Sequence, residues 1–342
     1  MKNRRGVICF KNPPSILGYA AVAGDMEANG PLKGKFDKVF EGDMDGEKSF
    51  EKAESKMQLF AAKQALKKAK LSPDQIDIAF AGDLLNQCIG TNYGLRELNI
   101  PFAGIYGACS TMAESILIGS VFVSSGYADK AIAITSSHFC ASERQFRFPL
   151  EYGGQRPLTA QWTATAAGAV VLGKQAEGKV NVKAACVGEI IDYQIKDMNN
   201  MGAAMAPAAV NTITKFFKST KTQAEDYDMI LTGDLGQVGS VILSQIMDKE
   251  GYPLKGKHSD CGLLLFDRQR QDVHSGGSGC GCSAAVLCAD VLKRLETGKL
   301  KRVLFIATGA LMSPTANQQG ESIPGVAHLI FLEGNIGYGN CN

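Results

Sequence analysis

A cysteine stands in the turn between Gly104 and Ser110, where an apolar run of strand length gives way to an apolar run of helix length. Backbone N–H groups at a helix N-terminus lack intrahelical partners, and the helix dipole is positive there, so both features favour a thiolate or a bound anion. Cys109 is therefore a candidate nucleophile or anion-binding residue. The alternative is a small buried cysteine at a crowded turn.

The sequence segments around this turn occur twice in the chain, as an internal repeat. Residues 77–84 recur as residues 228–235, an apolar run that ends in Gly-Asp-Leu, at an offset of 151. Residues 109–135 match residues 281–307 at an offset of 172. In both copies a small-residue turn opens an apolar helix, a glycine ends it, and a buried strand follows. The repeat predicts two duplicated α/β halves, residues 1–175 and 176–342.

The two offsets differ by 21 residues, which indicates an insertion in the second half at about residues 249–275. This segment contains His258 and Asp260. It either lengthens a surface loop or supplies side chains to a site on the repeated framework, as loops often do.

Composition excludes several classes of function. The 342 residues are 45% hydrophobic and carry a formal net charge of +2 without a long run of either sign, so nucleic-acid binding is not expected. We expect no signal peptide and no membrane-spanning segment. The ten cysteines are spread over a chain large enough to build its own core, and we expect free thiols.

Duplicated halves with a cysteine at the start of the first buried helix resemble the thiolases and ketoacyl synthases. The resemblance implies a layered αβαβα fold and an acyl-cysteine that needs two polar partners from the second half. Type III ketoacyl synthases place a His-Gln-Ala-Asn motif where this chain has residues 232–235, and an asparagine where it has Gly281. Loss of one oxyanion donor typically costs about a hundredfold in rate. Decarboxylative condensation is therefore not expected.

Further stretches resemble the stage V sporulation protein AD family: residues 106–114, 138–147, 152–157, 258–262, 308–314 and 318–324. That resemblance implies non-catalytic binding of dipicolinic acid (pyridine-2,6-dicarboxylate). It also implies a part in moving this acid, with calcium, into the developing spore. Other stage V sporulation A membrane proteins would be partners, and the chain would be peripheral at the forespore or spore inner membrane.

A planar dianion needs N–H donors and positive charge. We expect the donors at the helix N-termini of Cys109 and Gly281, and the charge from a basic side chain, for which the candidates are His258, Arg144, Arg147 and Arg156. Asp260 is a site candidate by resemblance, and Trp162 either stacks on the ligand or anchors the core.

No metal site or cofactor is expected. Cys261, Cys280, Cys282 and His258 have poor spacing for zinc. A homodimer is expected because this architecture commonly pairs. Two rival functions stay open: an acyltransferase that uses Cys109 and His258 on a coenzyme A thioester, and a structural scaffold with an inactive cleft.

Overall fold

The apolar repeats form the central strands of a mixed α/β fold. The computed structural model describes residues 5–146, 156–175 and 177–334. The strands before residue 176 are β1 Val7–Cys9, β2 Ser15–Gly24, β3 Lys38–Phe40, β4 Ile78–Gly82, β5 Phe102–Gly104, β6 Ala131–Ser137, β7 Trp162–Thr163 and β8 Ala166–Gly173. Those after it are β9 Val180–Cys186, β10 Met229–Thr232, β11 His258–Asp260, β12 Gly277–Ser278, β13 Arg302–Ala310 and β14 Gly325–Gly334.

The helices alternate with these strands. They are α1 Asp25–Ala28, α2 Phe50–Ala69, α3 Ile89–Leu95, α4 Thr111–Ser125, α5 Phe139–Phe146, α6 Met201–Thr220, α7 Gly236–Lys249, α8 Cys261–Leu265, α9 Cys280–Val286, α10 Leu292–Glu296 and α11 Pro314–Gln318. A π-helical segment, Leu287–Val291, joins α9 to α10.

The strand order repeats the sequence duplication. The first half runs β5-β4-β6-β8-β2 and the second β11-β10-β13-β14-β9, and the two meet where β2 pairs with β9. Every residue of β6, β8 and β10 is buried, which explains why these strands read as continuous apolar runs rather than as alternating ones. The expected strand–helix–strand units are present in both halves.

An equivalent aspartate in each half joins the start of one central strand to the start of its neighbour. The carboxylate of Asp77 accepts hydrogen bonds from the backbone N–H groups of residues 129 and 130, at 2.7 and 2.9 Å. Asp228 accepts the equivalent pair from residues 301 and 302, at 2.7 and 3.0 Å. The two aspartates are related by the offset of 151 and their N–H partners by the offset of 172. The duplication therefore preserved both sides of this contact.

Two helices form the middle layer. Helix α4 contacts β4 and β6 of its own half and also β13 and β14 of the other, and α9 contacts β6 and β8 across the same boundary. Helix α2 covers the outer face of the first half, and α6 covers that of the second, with α7 packed against α6. The result is the expected αβαβα layering. One described stretch, Ala108–Ser125, is long and apolar enough to cross a membrane, but 67% of it is buried in this middle layer.

The extra residues of the second half are placed differently from the sequence interpretation. Strand β11 pairs with β10 as β5 pairs with β4, with Ile230 opposite His258 as Ala79 is opposite Phe102. The offset at this strand is 156, so only 5 of the 21 extra residues precede it and 16 follow it. His258 and Asp260 thus belong to the repeated framework. Helix α8 and the loop that leads to β12 hold most of the insertion.

Candidate functional site

Cys109 lies at the start of the central helix α4, on a strained turn. Ala108 has a φ of 50°, a left-handed conformation that costs a non-glycine residue free energy and that often occurs at functional sites. The hydroxyl of Thr111 accepts from the N–H of Gly107 at 3.1 Å and donates to the carbonyl of Ala108 at 2.6 Å, which fixes the turn. Cys109 is only 5% exposed.

A cluster of polar side chains from the second half reaches the Cys109 thiol. The thiol lies 3.9 Å from the Ser278 hydroxyl, which is itself hydrogen-bonded to the Asp234 carboxylate. Asp234 is fully buried and accepts hydrogen bonds from the hydroxyl of Thr308 at 2.7 Å, the N–H of Gly279 at 3.0 Å and the hydroxyl of Ser278 at 3.2 Å. Asp234 therefore stands beside the cysteine from the turn that follows β10.

The surroundings of Cys109 oppose a thiolate. Burial raises the pKa of the thiol well above its usual value, and the nearby Asp234 charge raises it further, against a smaller opposing effect of Ser278. Burial also raises the pKa of Asp234, although its hydrogen bonds act in the opposite direction. A nucleophilic cysteine needs the reverse, a pKa lowered by a cation or a histidine. Cys109 is a neutral thiol here.

Cys109 lines a small inner cavity of about 40 Å³. Its polar lining comes from Ser142 and Glu143 of α5, Thr163 of β7 and Ser278 of β12, and β7 and β12 bring the last two together by pairing side by side. The apolar lining consists of Leu84, Tyr106, Ala108, Phe146, Met201, Ala310 and Met312.

An outer vestibule of about 520 Å³ adjoins the inner cavity. Five residues line both spaces and form the boundary between them: Tyr106, Ala108, Phe146, Ala310 and Met312. Amide and hydroxyl groups of Asn86, Gln145, Ser313 and Thr315 line the vestibule. No lysine, arginine or histidine in the described part of the chain lines either space.

His258 and Asp260 form a second cluster with Thr232. The ring Nε2 of His258 is 2.8 Å from the Thr232 hydroxyl, which donates to the Asp260 carboxylate at 2.7 Å. The carboxylate also accepts from the N–H groups of Leu235 and Gly236, at 2.8 and 3.1 Å, and so caps the start of α7. Burial lowers the pKa of His258 to about 4 and raises that of Asp260 to about 7. Neither lines the inner cavity or the vestibule.

Gly281 lies inside the helix packing rather than at the cavity. Its N–H donates to the hydroxyl of Ser137 at 3.2 Å. A Cβ at this position would meet the carbonyl oxygen of Ala166 at 2.3 Å and the Ser137 hydroxyl at 2.6 Å. The glycine is therefore required for close approach of α9 to β6 and β8. From this turn, Ser278 is the side chain that reaches Cys109.

Both faces of the Trp162 ring are occupied. The Phe139 ring stacks on it with centroids 3.8 Å apart, and the Arg156 guanidinium lies 4.7 Å from its centroid. Arg156 also pairs with Asp272 at 2.9 Å. The indole supports the β7 strand next to Thr163 and takes no direct part in the cavity lining.

Arg144, the other described arginine candidate, does not line the cavity. Arg144 forms an ion pair with Glu51 on the outer surface. Arg147 lies outside the described residues, as do the first four residues of the stretch 152–157.

Of the sequence candidates, the structure brings Cys109 to the inner cavity and His258 and Asp260 to each other. Asp234 and Ser278 were missed. The repeated Gly-Asp-Leu motif was a usable signal for Asp234, because its first-half copy, Asp83, is also a buried acid at the end of a central strand. Within the described residues no group of three or more metal-binding side chains occurs, and the nine described cysteines are free.

Comparison with known proteins gives both a family and a fold. A family model described as stage V sporulation protein AD matches residues 4–333. The stage V sporulation protein AD of Bacillus subtilis (strain 168) is 47% identical over 324 residues, which cover 95% of each chain.

Solved structures of other proteins share the fold at low sequence identity. Cerulenin-bound OleA from Xanthomonas campestris superimposes with a TM-score of 0.62 at 14% identity, over 95% of this chain and 97% of that one. The 3-oxoacyl-[acyl-carrier-protein] synthase III from Aquifex aeolicus VF5 gives a TM-score of 0.56 at 13% identity, over 94% and 99%. These likenesses establish the thiolase-like fold alone.

Proposed function

The chain belongs to the stage V sporulation protein AD family, and on this premise we propose that it binds dipicolinic acid without converting it. It acts as the soluble subunit of the system that moves this acid into the developing spore. The observation that carries the non-catalytic part is the Asp234 carboxylate beside the Cys109 thiol.

The chemistry of the cysteine supports binding over catalysis. An acyl-transfer enzyme needs a thiolate and donors aimed at the developing oxyanion. Beside Cys109 this chain has a carboxylate, which disfavours a thiolate and repels an oxyanion, and a serine hydroxyl 3.9 Å from the sulfur; no histidine in the described part of the chain lines the cavity. The turn keeps its strained geometry, but the partners that would activate the thiol are replaced.

The proposed ligand occupies the inner cavity and the vestibule together. Pockets for small organic ligands typically enclose roughly 300–1,000 Å³, so the inner cavity alone is too small. The vestibule is large enough, and movement of Phe146 or Met312 would join the two spaces. Hydroxyl and amide donors on both sides would bind the carboxylates of the ligand.

The protein would act as a dimer, with membrane proteins as partners. Two copies of the chain pair, the dimer works with other stage V sporulation A membrane proteins, and it is peripheral at the forespore or spore inner membrane. Calcium travels with the ligand. The edge strand β5, whose Phe102 is 38% exposed, supports self-association because it leaves one row of backbone groups unpaired.

Isothermal titration tests ligand binding. Dipicolinate is titrated, with and without calcium, into the wild-type protein and into Cys109→Ala and His258→Ala. Cys288→Ala, a buried cysteine outside the cavity, is the matched control. We expect saturable binding that weakens at least tenfold in Cys109→Ala and is unchanged in the control. Absence of binding to the wild-type protein, or preference for pyridine-3,5-dicarboxylate, would contradict the proposal.

The rival function is an acyltransferase that uses Cys109, and the position of this cysteine at the start of α4 favours it. Incubation with acetyl-, malonyl- and longer acyl-coenzyme A, followed by mass spectrometry of the intact protein, tests it. We expect no acyl adduct. A stable adduct on Cys109, followed by turnover, would establish the enzyme instead.

A further inference from the structure

A second concave surface lies on the outer helical layer of the second half. It is a groove of about 950 Å³ between the C-terminal part of α6, the end of α7, β1 and the segment after β9. Its apolar floor and walls come from Ile191, Tyr193, Pro207, Val210 and Ile246. None of these residues lines the Cys109 cavity or its vestibule.

The wall formed by the segment after β9 is held in place by backbone hydrogen bonds. Ile191 and Gly325 exchange two of them, at 2.9 and 2.8 Å, and Ile323 donates to the carbonyl of Ile195 at 2.7 Å. Asp192 accepts from the hydroxyl of Ser322 at 2.6 Å. The groove is therefore preformed, which reduces the ordering cost of binding.

Positive charge lines one side of the groove. Lys215, Lys218 and Lys221 follow one another along α6 and its C-cap, against one lining carboxylate, Glu250. Lys215 pairs with Glu189 at 3.3 Å. Within the described part of the chain, Lys218 and Lys221 form no ion pair, and both are exposed. These two cations are available to an acidic partner.

An apolar side chain of the groove also faces solvent. Tyr193, which lines the groove, is 62% exposed. In the floor, the side-chain oxygen of Asn211 is buried and has no hydrogen-bond partner among the described residues. A buried acceptor without a donor costs roughly 1–3 kcal/mol, a cost that a donor on a bound partner would remove.

We propose that this groove docks an acidic segment of a partner protein that carries apolar side chains. The carboxylates of the segment pair with Lys218 and Lys221, its apolar residues cover Ile191, Tyr193 and Val210, and an N–H of its backbone or side chain donates to Asn211. A bilayer would meet the lysines but would not enter a concave surface or reach a buried acceptor. A polypeptide segment fits all three features.

The duplication supplies a matched control for this surface. Lys67 and Lys70 end α2 as Lys218 and Lys221 end α6, at the same offset of 151, and both Lys70 and Lys221 are left-handed C-caps. Lys67 and Lys70 do not line the groove. Neutralising either pair removes the same charge from the same position of equivalent helices.

Selection from a random peptide library displayed on phage, with the full chain as target, tests the proposal. Peptides that are enriched are synthesised with a fluorescent label, and their binding is measured by anisotropy. Four proteins are compared: the wild type, Lys218→Gln/Lys221→Gln, Lys67→Gln/Lys70→Gln, and Tyr193→Ser. Melting curves establish that each variant is folded, and Tyr193→Ser changes an exposed side chain that the fold does not require.

We expect enriched peptides to combine acidic and apolar residues, and their affinity to fall about tenfold in the Lys218/Lys221 variant and in Tyr193→Ser but not in the Lys67/Lys70 variant. No enrichment, enrichment without acidic residues, or equal loss in both lysine variants would overturn the proposal. So would lysine-dependent binding of phosphatidylglycerol vesicles with no peptide selected, which would identify a membrane surface instead.

Discussion

At the scale of single residues, the state of Cys109 decides between binding and catalysis. Because burial and Asp234 both raise the pKa of its thiol, we predict that iodoacetamide alkylates Cys109 far more slowly than the exposed Cys9 at mildly alkaline pH. In Asp234→Asn the rate at Cys109 should rise, because the charge that disfavours the thiolate is removed. Peptide mass spectrometry measures both cysteines in one sample. Equal rates at Cys9 and Cys109 in the wild type would show an activated thiol.

The same aspartate predicts how ligand binding depends on pH. A dianion in the inner cavity lies near Asp234 and Glu143, so it binds best when the raised pKa of Asp234 lets that carboxyl hold a proton. Dipicolinate affinity should therefore fall as pH rises through the pKa of Asp234, and Asp234→Asn should flatten this dependence. Titration calorimetry over a series of pH values from acid to mildly alkaline measures it. Affinity that rises with pH would place the ligand elsewhere.

Asp260 predicts a pH dependence of folding stability rather than of ligand binding. Its pKa is about 7 in the folded chain against 3.8 when exposed, so the folded state holds the proton more tightly across this window. The free energy of unfolding should then fall as pH rises from about 4 to 7, by an amount of the order of 4 kcal/mol from this group. The pKa of His258 is lowered to about 4, so this residue makes the free energy of unfolding rise with pH over the same range. The contribution of Asp260 is therefore obtained as the difference between the wild type and Asp260→Asn.

Urea unfolding across this pH range, in the wild type, in Asp260→Asn and in the exposed control Asp248→Asn, measures the difference. Only in Asp260→Asn should the slope of the unfolding free energy against pH be more positive than in the other two proteins, because the falling contribution of Asp260 is removed. Identical slopes in all three proteins would show that Asp260 is ionised at no cost in the folded state.

The sequence predicted those site residues whose position in the strand and helix pattern was informative. Cys109 was identifiable from its place between a strand and a helix, and the missing histidine from the motif at residues 232–235. Asp234 and Ser278 were not, because their approach to the thiol depends on how the second half packs against the first. The roles of His258, Asp260, Gly281 and Trp162 as ligand-binding residues stay predictions.

At the scale of elements, α9 packs so closely on β6 and β8 that Gly281 has no room for a side chain. We predict that Gly281→Ala lowers the free energy of unfolding by about 1–3 kcal/mol or more, because a Cβ would collide with backbone rather than with a flexible side chain. Gly104→Ala, where the nearest atom would be 3.4 Å away, is the control. Urea denaturation that gave equal stability for the two variants would contradict this packing.

Helix and strand positions followed from the apolar periodicity, whereas the insertion did not. The predicted helix after Cys109 ends at Gly126, whose φ of 80° is the expected left-handed C-cap. The extra residues around His258 looked like one loop, since an offset between two matched segments cannot show where within the interval the residues were added. Only the pairing of β11 with β10 separates the 5 residues before it from the 16 after.

At the scale of the whole molecule, the two halves share one buried layer. Because α4 contacts β13 and β14, and α9 contacts β6 and β8, neither half buries its central helix alone. We predict a single cooperative unfolding transition. Hydrogen exchange with mass spectrometry at increasing urea should show β6 and β13 losing protection at the same midpoint. Loss of protection in one half at a clearly lower urea concentration would indicate two independent units.

The duplicated architecture was accessible from the sequence because both copies kept their apolar strands, helix-ending glycines and turn aspartates. Its consequences for function were less accessible. Lys218 and Lys221 repeat Lys67 and Lys70 in the sequence, yet only the second pair borders the α6 groove, since the segment after β9 builds the opposite wall there.

The position of bound dipicolinate in crystals of the wild-type protein would test the proposed function most directly. We expect difference density for an intact planar ring between Phe146, Met312 and Cys109, with one carboxylate near Ser278 and no bond to the sulfur. Density only in the α6 groove, no density at saturating ligand, or a covalent adduct on Cys109 would contradict non-catalytic binding in the Cys109 cavity.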